Sequence, residues 1–316
     1  MNKYPLSISN FIHTVLLILL ILLLVACSGQ ISARTDNGKL NVVATTGQIA
    51  DALANIGGDA IDLTGLLGPG VDPHLYVPTE SNVATFSNAN LIVYNGLHLE
   101  AQMLRVLEQM ESRGVHVLSV GDSLPEDQLL GWDDQFPHDP HIWNDPDLWA
   151  LGIEAMRDAL IEADPSNEAL YAENTQTYLE TLAKTSAFIE EQINQIPRAQ
   201  RVVITAHDAF GYFGRRFNLE VTGLQGVSTE SEASAADVKE LANMIVERQI
   251  PAIFVESSVS PKTIEAVQAA VADQGFEVII GEELYSDALG EAGSDADTYV
   301  GMLRHNAKAL LQALGE

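Results

Sequence analysis

The sequence predicts an α/β protein whose two lobes are joined by one long helix. Short β-rich runs alternate with helical patterns in both halves of the chain, which is typical of β/α units around parallel sheets. Between the halves, residues 166–196 contain no glycine or proline, are rich in Glu, Ala, Leu and Gln, and are followed by Pro197. That composition favours a single helix more than about 40 Å long. Because such a helix is a stiff connector, large closing motions between the lobes should be limited.

Each half contains four predicted strands separated by helices. In the first half we expect strands at 40–45, 61–67, 91–95 and 115–120, and helices at 47–56, 79–88 and 100–113. In the second half we expect strands at 201–205, 220–224, 252–256 and 277–280, and helices at 209–217, 235–248, 261–273 and 297–314. The predicted organisation is an N-terminal α/β lobe over 40–165, a linking helix over 166–197 and a C-terminal α/β lobe over 198–316.

Composition indicates a folded chain, and its charge excludes one class of partner. The 316 residues are 47% hydrophobic, with 23 Gly and 12 Pro, which is ordinary for a globular protein of about two domains. Asp and Glu number 44 against 16 Lys and Arg, so a net charge of −28 would repel a nucleic acid backbone. We therefore expect no nucleic acid partner, and we expect a monomer. The acidity attracts cations but does not by itself define a site.

The first 39 residues predict export and lipid anchoring. Residues 15–26 form an unbroken apolar run that is shorter than the roughly 20 residues of a membrane-spanning helix and suits the core of a signal peptide. The run ends in LVACS, which resembles the lipobox of bacterial lipoproteins. Cys27 is the only cysteine, which excludes an internal disulfide and a Cys-rich metal site. We expect a signal peptide over 1–26, lipidation of Cys27, a flexible tether over 27–39 and an extracytoplasmic location, at the cell surface or in the periplasm.

Four side chains of metal-binding type follow predicted strands. His74 comes after the second strand and His141 after the fourth, each within an Asp-Pro-His sequence, while His207 and Asp287 follow the first and last strands of the second half. Ligands of open α/β sheets bind beyond the carboxyl ends of the strands, so two donors from each lobe could meet in a cleft between the lobes. Three imidazoles and one carboxylate suit Zn²⁺ and are acceptable to Mn²⁺ or Fe²⁺.

Other residues near these positions have competing interpretations. His138 lies three residues before His141 and could compete for the metal, although it lacks the Asp-Pro context. Glu256 follows an apolar strand and either orients a ligating histidine through its second ring nitrogen or acts as a surface or capping carboxylate. Trp143 and Tyr212 are expected to be walls of the cleft. In each Asp-Pro-His sequence, proline restricts the backbone and helps to aim the histidine.

Longer motifs carry a resemblance to a known family. They are the two Asp-Pro-His sequences, AHDAFGYF at 206–213, GLQGVST at 223–229, FVESS at 254–258 and ELYSD at 283–287. Together they resemble the zinc- and manganese-binding lipoproteins of bacterial ABC importers, the ZnuA/TroA-like solute-binding family. The resemblance extends from about residue 40 to the C-terminus.

The resemblance implies two (β/α)₄ lobes with parallel-rich sheets, joined by a rigid backbone helix, and one metal ion held by His74, His141, His207 and Asp287. Histidine at the third position occurs in zinc-associated and TroA-like members, whereas several manganese-specific members have glutamate there. This favours zinc, or mixed zinc and manganese, binding. Many zinc-specific members also have a long His-rich loop before the second ligand. Here residues 122–140 contain only one histidine, which puts strict zinc specialisation in doubt.

The expected function is capture of Zn²⁺ or Mn²⁺, one ion per chain as cargo, and its delivery to an ABC permease and its ATPase. The chain is not expected to be an enzyme, with no catalytic residues, because four protein ligands leave no open position of the kind a catalytic zinc keeps for water. The sequence also lacks His-Glu-x-x-His and Gly-x-Ser-x-Gly. A metal-dependent surface adhesin and a zinc hydrolase are the alternatives.

Overall fold

A computed structural model describes residues 38–132 and 136–315. These residues belong to a single compact unit. The expected signal peptide, Cys27 and all of the expected tether before residue 38 lie outside the described residues. Within the described ranges, no helix combines the length and the apolar character needed to cross a membrane.

The first half is built on a four-stranded parallel sheet. Its strands are β1 (Leu40–Ala44), β2 (Ile61–Gly65), β3 (Leu91–Tyr94) and β4 (His116–Ser119), in the order β2-β1-β3-β4. Successive residues 42–44 of β1 and 91–93 of β3 are buried whichever face they point to, as expected for a parallel sheet covered on both sides. The connecting helices are α1 (Gly47–Gly57), α2 (Glu80–Ser87) and α3 (Leu104–Ser112).

A fourth helix of this half, α4 (Pro146–Ala163), was not among the helices predicted from the sequence. Asp145 caps it, because Oδ1 accepts hydrogen bonds from the N–H groups of Asp147 and Leu148 at 3.0 and 3.3 Å. Pro146 occupies the first helical position, where its missing N–H leaves no hydrogen bond unmade. The helix buries one apolar face, formed by Leu148, Trp149, Ile153, Met156 and Leu160. Cap, proline and periodicity were all readable in the sequence.

The second half repeats the strand order of the first in two shorter sheets. Parallel pairs form between β5 (Val202–Thr205) and β6 (Glu220–Gly223), and between β7 (Ala252–Ile253) and β8 (Ile279–Ile280). The N–H of Phe254 donates to the carbonyl of Ile204 at 2.8 Å and joins the two pairs. The resulting order, β6-β5-β7-β8, matches β2-β1-β3-β4.

Strands β7 and β8 are shorter than the predicted 252–256 and 277–280 because their pairing is interrupted. Ile253 pairs with Ile280, and pairing resumes only as an isolated parallel bridge between Glu256 and Leu284. From one pairing to the next, the chain advances three residues on the β7 side (253 to 256) but four residues on the β8 side (280 to 284). An extra residue of this kind disrupts the ladder and turns the chain, which is a common arrangement beside functional sites.

The long helix α5 (Glu168–Asn194) connects the halves, and at about 1.5 Å per residue it spans about 40 Å. The remaining helices are α6 (Gly211–Phe217), α7 (Ala235–Arg248), α8 (Lys262–Ala272) and α9 (Tyr299–Leu314). Helix α9 packs against α5 and α1. One apolar core consequently includes residues of both halves, from Leu40 and Val93 to Phe254 and Leu310. A shared core of this kind resists separation of the halves.

Asp145, the N-cap residue of α4, lies four residues after His141. The contribution of this cap to the stability of the protein can be measured by substitution. Asp145→Ala is expected to lower the free energy of unfolding by about 1–2 kcal/mol, because two N–H groups lose their acceptor. Asp145→Asn should retain most of the stability, since its side-chain oxygen can still cap the helix. Urea unfolding of both variants measures the difference. Equal destabilisation by the two substitutions would show that the pair with Arg215, and not the cap, is what matters.

Candidate metal centre

Four potential metal donors from both halves meet at one point inside the protein. His74, His141, His207 and Asp287 each place one donor atom within 4.8 Å of the other three, and all four residues are buried. No other group of this kind occurs among residues 38–132 and 136–315. The structure therefore brings together all four side chains that the sequence singles out.

Each donor lies beyond the carboxyl end of a parallel strand. His74 is in the loop that leaves β2, and His141 precedes a short 3₁₀ turn (Ile142–Asn144) ahead of α4. His207 comes two residues after β5, and Asp287 follows β8. The strand ends of the two halves thus face one another across a common seam, where ligands of open α/β sheets bind.

The distances within the cluster suit a small, closely coordinated cation. The Nε2 atoms of His74 and His141 are 3.3 Å apart. Asp287 Oδ1 lies 3.4 Å from His141 Nε2, and its Oδ2 lies 3.2 Å from His207 Nε2. A regular tetrahedron of donors at about 2.0–2.1 Å from Zn²⁺ has edges of about 3.3–3.4 Å. Because each carboxylate oxygen faces a different imidazole, Asp287 can offer one or two oxygens and raise the coordination number.

Two of these buried donor atoms have no hydrogen-bond partner outside the cluster within the described part of the chain, and their near neighbours are other donors at 3.2 and 3.4 Å. The two atoms are His207 Nε2 and Asp287 Oδ1. Native proteins rarely leave buried polar atoms unpaired without a reason, and an ion is one such reason. Ser258 Oγ donates to the other oxygen, Asp287 Oδ2, at 3.2 Å, which holds the carboxylate from its outer side.

A carboxylate stands behind His141. Asp139 Oδ1 accepts the backbone N–H of His141 at 2.9 Å and lies 2.7 Å from its Nδ1. This contact fixes the ring and directs Nε2 into the cluster, an arrangement common for metal-binding histidines. Tyr212 Oη in turn donates to the carbonyl of Asp139 at 2.8 Å and accepts the N–H of Leu130. Tyr212, expected only as a wall of the cleft, therefore also anchors this support.

A second carboxylate stands behind His207. Glu256 Oε1 accepts the backbone N–H of His207 at 2.8 Å, and Oε2 lies 2.7 Å from Nδ1. Glu256 is only 2% exposed, so of the two interpretations left open by the sequence, a surface carboxylate does not describe its surroundings. Glu256 is also the residue at which pairing resumes after β7, in the isolated bridge with Leu284.

His74 is held differently. Asp72 Oδ1 accepts its backbone N–H at 2.8 Å, and Asp72 Oδ2 accepts a hydrogen bond from Thr229 Oγ1 of the other half at 2.6 Å. In both Asp-Pro-His sequences, the aspartate thus accepts the N–H of the histidine two residues later, as in an Asx-turn. Proline was expected to aim the histidine, and this role of aspartate was not predicted. The signal was present, since Asp at this spacing is typical of such turns.

His138 lies apart from the cluster. It lines a separate cavity of about 270 Å³ that also includes His98 and Phe136. The neighbouring rings of His98 and Phe136 stack with centroids 4.0 Å apart. His138 is not among the clustered donors, so in this arrangement it does not compete with His141.

Burial and charge move the pKa values of the imidazoles in opposite directions. Burial lowers the pKa of His74 from 6.5 to about 3, although Asp287 opposes the shift. Burial also acts to lower the pKa of His141, but the charges and hydrogen bonds of Asp139 and Asp287 outweigh it and raise the pKa to about 9. In the metal-free protein at neutral pH, His74 is thus neutral and His141 is protonated.

Burial and neighbouring charges also act in opposite directions on the pKa values of His207 and Asp287. Burial acts to lower the pKa of His207, but Glu256 and Asp287 outweigh it and raise the pKa well above its usual value. Burial acts to raise the pKa of Asp287, but the His207 and His141 rings hold it well below its ordinary value. The seam is therefore a place where negative charge is buried and positive charge is required.

Two α/β lobes with a buried donor set at their seam define a solute-binding protein of the kind that serves membrane importers. The sequence matches the family described as "Zinc-uptake complex component A periplasmic" over residues 42–313. The chain belongs to this family, the zinc- and manganese-binding solute receptors of bacterial ABC importers. The resemblance noted in the sequence and the expected two-lobe fold with a long connecting helix are confirmed.

Some relatives in this family are named for zinc and others for manganese. The chain is 45% identical over 286 residues to the zinc-binding protein TroA of Treponema pallidum (strain Nichols), covering 90% of this chain and 92% of TroA. It is 39% identical over 291 residues to the manganese-binding lipoprotein MntA of Bacillus subtilis (strain 168), covering 92% and 95%. The solved structure of periplasmic TroA superposes with a TM-score of 0.86 at 45% identity, covering 88% of this chain and 100% of that structure.

The carboxylate behind His141 provides a test of these electrostatics. In the metal-free protein, Asp139→Asn should lower the pKa of His141 from about 9, because a neutral amide no longer stabilises the protonated ring. The ring would then lose its proton at a lower pH. Titration of the histidine ring signals by nuclear magnetic resonance measures this. An unchanged pKa at His141 would contradict the assigned role of Asp139.

Proposed function

We propose that this protein captures one Zn²⁺ or Mn²⁺ ion through His74, His141, His207 and Asp287 and delivers it to the membrane permease of an ABC importer. One observation carries the proposal. Three imidazoles and a carboxylate, two from each half, place donor atoms within 4.8 Å of one another in a buried seam, and two of these atoms have no hydrogen-bond partner outside the cluster among the described residues. Membership of the receptor family supports the same conclusion.

Asp139 and Glu256 serve this function by orienting the ligand rings. Each carboxylate lies 2.7 Å from an Nδ1 atom, which directs Nε2 of the same ring towards the ion. A contact of this type also increases the basicity of the ligand and favours the metal. In this proposal Glu256 has the ring-orienting role, and its 2.7 Å contact with Nδ1 of His207 supports it.

The donor set favours cargo binding over catalysis. A catalytic zinc keeps an open position for water, whereas four protein ligands complete a tetrahedral shell. All four donors are also at most 2% exposed, which leaves little access for a substrate larger than an ion. The chain is therefore not an enzyme in this proposal. No feature of the seam favours an adhesin.

The choice between the two metals follows from the ligands. Nitrogen-rich sites bind Zn²⁺ more tightly than Mn²⁺ by the Irving–Williams order. A carboxylate with both oxygens facing the seam can also serve Mn²⁺, which accepts more oxygen ligands. We therefore propose a receptor that binds both ions and holds Zn²⁺ more tightly.

The partners and location follow from the family and the N-terminal sequence. Family members described as lipoproteins include relatives from Bacillus subtilis and Streptococcus sanguinis. We propose that residues 1–26 are removed, that Cys27 carries the lipid, and that a tether over 27–39 holds a monomer outside the membrane. The partition into lobes over 40–165 and 198–316, with a linking helix over 166–197, is part of the same proposal.

Calorimetric titration of the metal-free mature chain should show one Zn²⁺ per chain. His207→Ala should weaken binding by more than about 100-fold, because a ligand is lost, whereas Glu256→Gln should weaken it by about 10–100-fold, as is typical of ring-orienting partners. His305→Ala is the control, since His305 lies outside the cluster. Unchanged binding by His207→Ala would refute the proposed ligand set.

Affinity should depend on pH because the metal displaces protons. His141, with a pKa of about 9, and His207, with a raised pKa, both carry a proton at pH 7 in the metal-free protein, whereas His74 does not. Each displaced proton changes affinity by about tenfold per pH unit, so affinity should fall by about 10–100-fold per unit on acidification from pH 8 to 6. Competition with a chelator across this range measures it. A pH-independent affinity would contradict the protonation of these two rings.

A further inference from the structure

The short turn that follows His141 reaches across the seam to both donor loops of the second half. Trp143 Nε1 donates to the carbonyl of Ser286 at 2.9 Å, and Asn144 Nδ2 donates to the carbonyl of Ala209 at 2.9 Å. Ser286 immediately precedes Asp287, and Ala209 comes two residues after His207. One turn of the first half therefore holds the backbone beside both donors of the second half.

The turn is held in return by the second half. Tyr299 Oη, at the start of α9, donates to the carbonyl of Trp143 at 2.6 Å. Trp143, Asn144, Ser286 and Tyr299 are all fully buried, so water does not compete for these hydrogen bonds. Gln48 Nε2 also approaches the carbonyl of Ser286, but at 3.4 Å it is the weaker of the two donors.

The contacts of Trp143 suit it to fix the distance between His141 and Asp287. Its ring packs edge to face against the ring of His141, with centroids 5.3 Å apart. Its indole N–H donates a hydrogen bond to the carbonyl of Ser286, the residue before Asp287. The indole is planar and rigid, so these two contacts fix His141 relative to Asp287. The oxygen and nitrogen of that pair are 3.4 Å apart, a separation that a shared ion requires.

We propose that Trp143 is a positioning residue for the bound ion, and that Asn144 assists it. The indole N–H of Trp143 holds the Asp287 loop, the amide of Asn144 holds the His207 loop, and both are tied to His141 through the turn they share. Three of the four ligands are thereby kept at coordination distance before the ion arrives. This inference rests on the proposed function of the site.

The chain contains a matched control for the indole hydrogen bond. Trp149 is fully buried six residues away and packs against Tyr299, with ring centroids 5.7 Å apart. Its Nε1 has no hydrogen-bond partner among the residues that the structure describes. Replacement of either tryptophan by phenylalanine removes a similar volume, but only replacement of Trp143 removes a hydrogen bond beside a ligand.

The experiment compares Trp143→Phe and Trp149→Phe in the full mature chain. Zn²⁺ is loaded, its release to a chelator is timed, and the visible spectrum of the Co²⁺ form reports the coordination geometry. Trp143→Phe should release Zn²⁺ about tenfold faster, because the Ser286 carbonyl beside Asp287 loses the shorter of its two hydrogen bonds; tenfold corresponds to about 1.4 kcal/mol. It should also alter the Co²⁺ spectrum. Trp149→Phe should match the unmodified chain in both measurements.

Three results would overturn the inference. Trp143→Phe could match the unmodified chain in release and spectrum, or both variants could change equally, which would indicate lost packing volume alone. If the unmodified chain bound neither Zn²⁺ nor Co²⁺, the proposed function would fail and this inference with it. Normal binding by the unmodified chain with no effect of Trp143→Phe would instead refute the positioning role only.

Asn144→Ala provides a second test that does not alter an aromatic ring. It removes the hydrogen bond to Ala209 beside His207 and should also speed Zn²⁺ release. If Trp143→Phe fails to fold, this variant decides the question. Release at the unmodified rate from folded Asn144→Ala would overturn the inference.

Discussion

The constraint on which the rest of the structure depends is the burial of carboxylates and imidazoles at one seam. Asp139, Glu256 and Asp287 are almost completely inaccessible, and buried negative charge requires a positive partner. In the metal-free protein, protons on His141 and His207 supply it, as their raised pKa values indicate. In the proposed function a divalent ion replaces those protons. Ion and proton thus compete for the same role at the seam.

The fold supports the seam through packing and hydrogen bonds that join the two halves. Parallel strands of both halves direct their carboxyl ends towards it, and α5 and α9 tie the halves together through a shared apolar core. Hydrogen bonds from Trp143, Asn144 and Tyr299 then cross the seam close to the ligands. A donor set that must match bond lengths of about 2 Å needs such support, because small displacements of a ligand weaken a metal site.

Much of the fold follows from local pattern. Strand and helix positions in the first half were predicted to within a few residues, since apolar runs, helix caps and breakers act over short distances. The differences have physical causes. Strands β7 and β8 are shorter than predicted because pairing is broken by an extra residue, which depends on the partner strand. Helix α4 was not predicted, although the sequence contains its cap Asp145, its first residue Pro146 and its apolar periodicity.

For the site, the sequence by itself determined which donors stand at strand ends, because strand pattern and residue type are local properties. It also contained the Asp-Pro-His turns, whose aspartates hold the following histidines. Only the tertiary structure decided that the four donors meet, that Glu256 contacts the ring of His207, and that the turn after His141 is hydrogen-bonded to the loops of both His207 and Asp287. The hydrogen bonds of Glu256, Asn144 and Trp143 join residues 49, 65 and 143 positions apart. Such pairs are set by how the two halves pack, which no short stretch of sequence encodes.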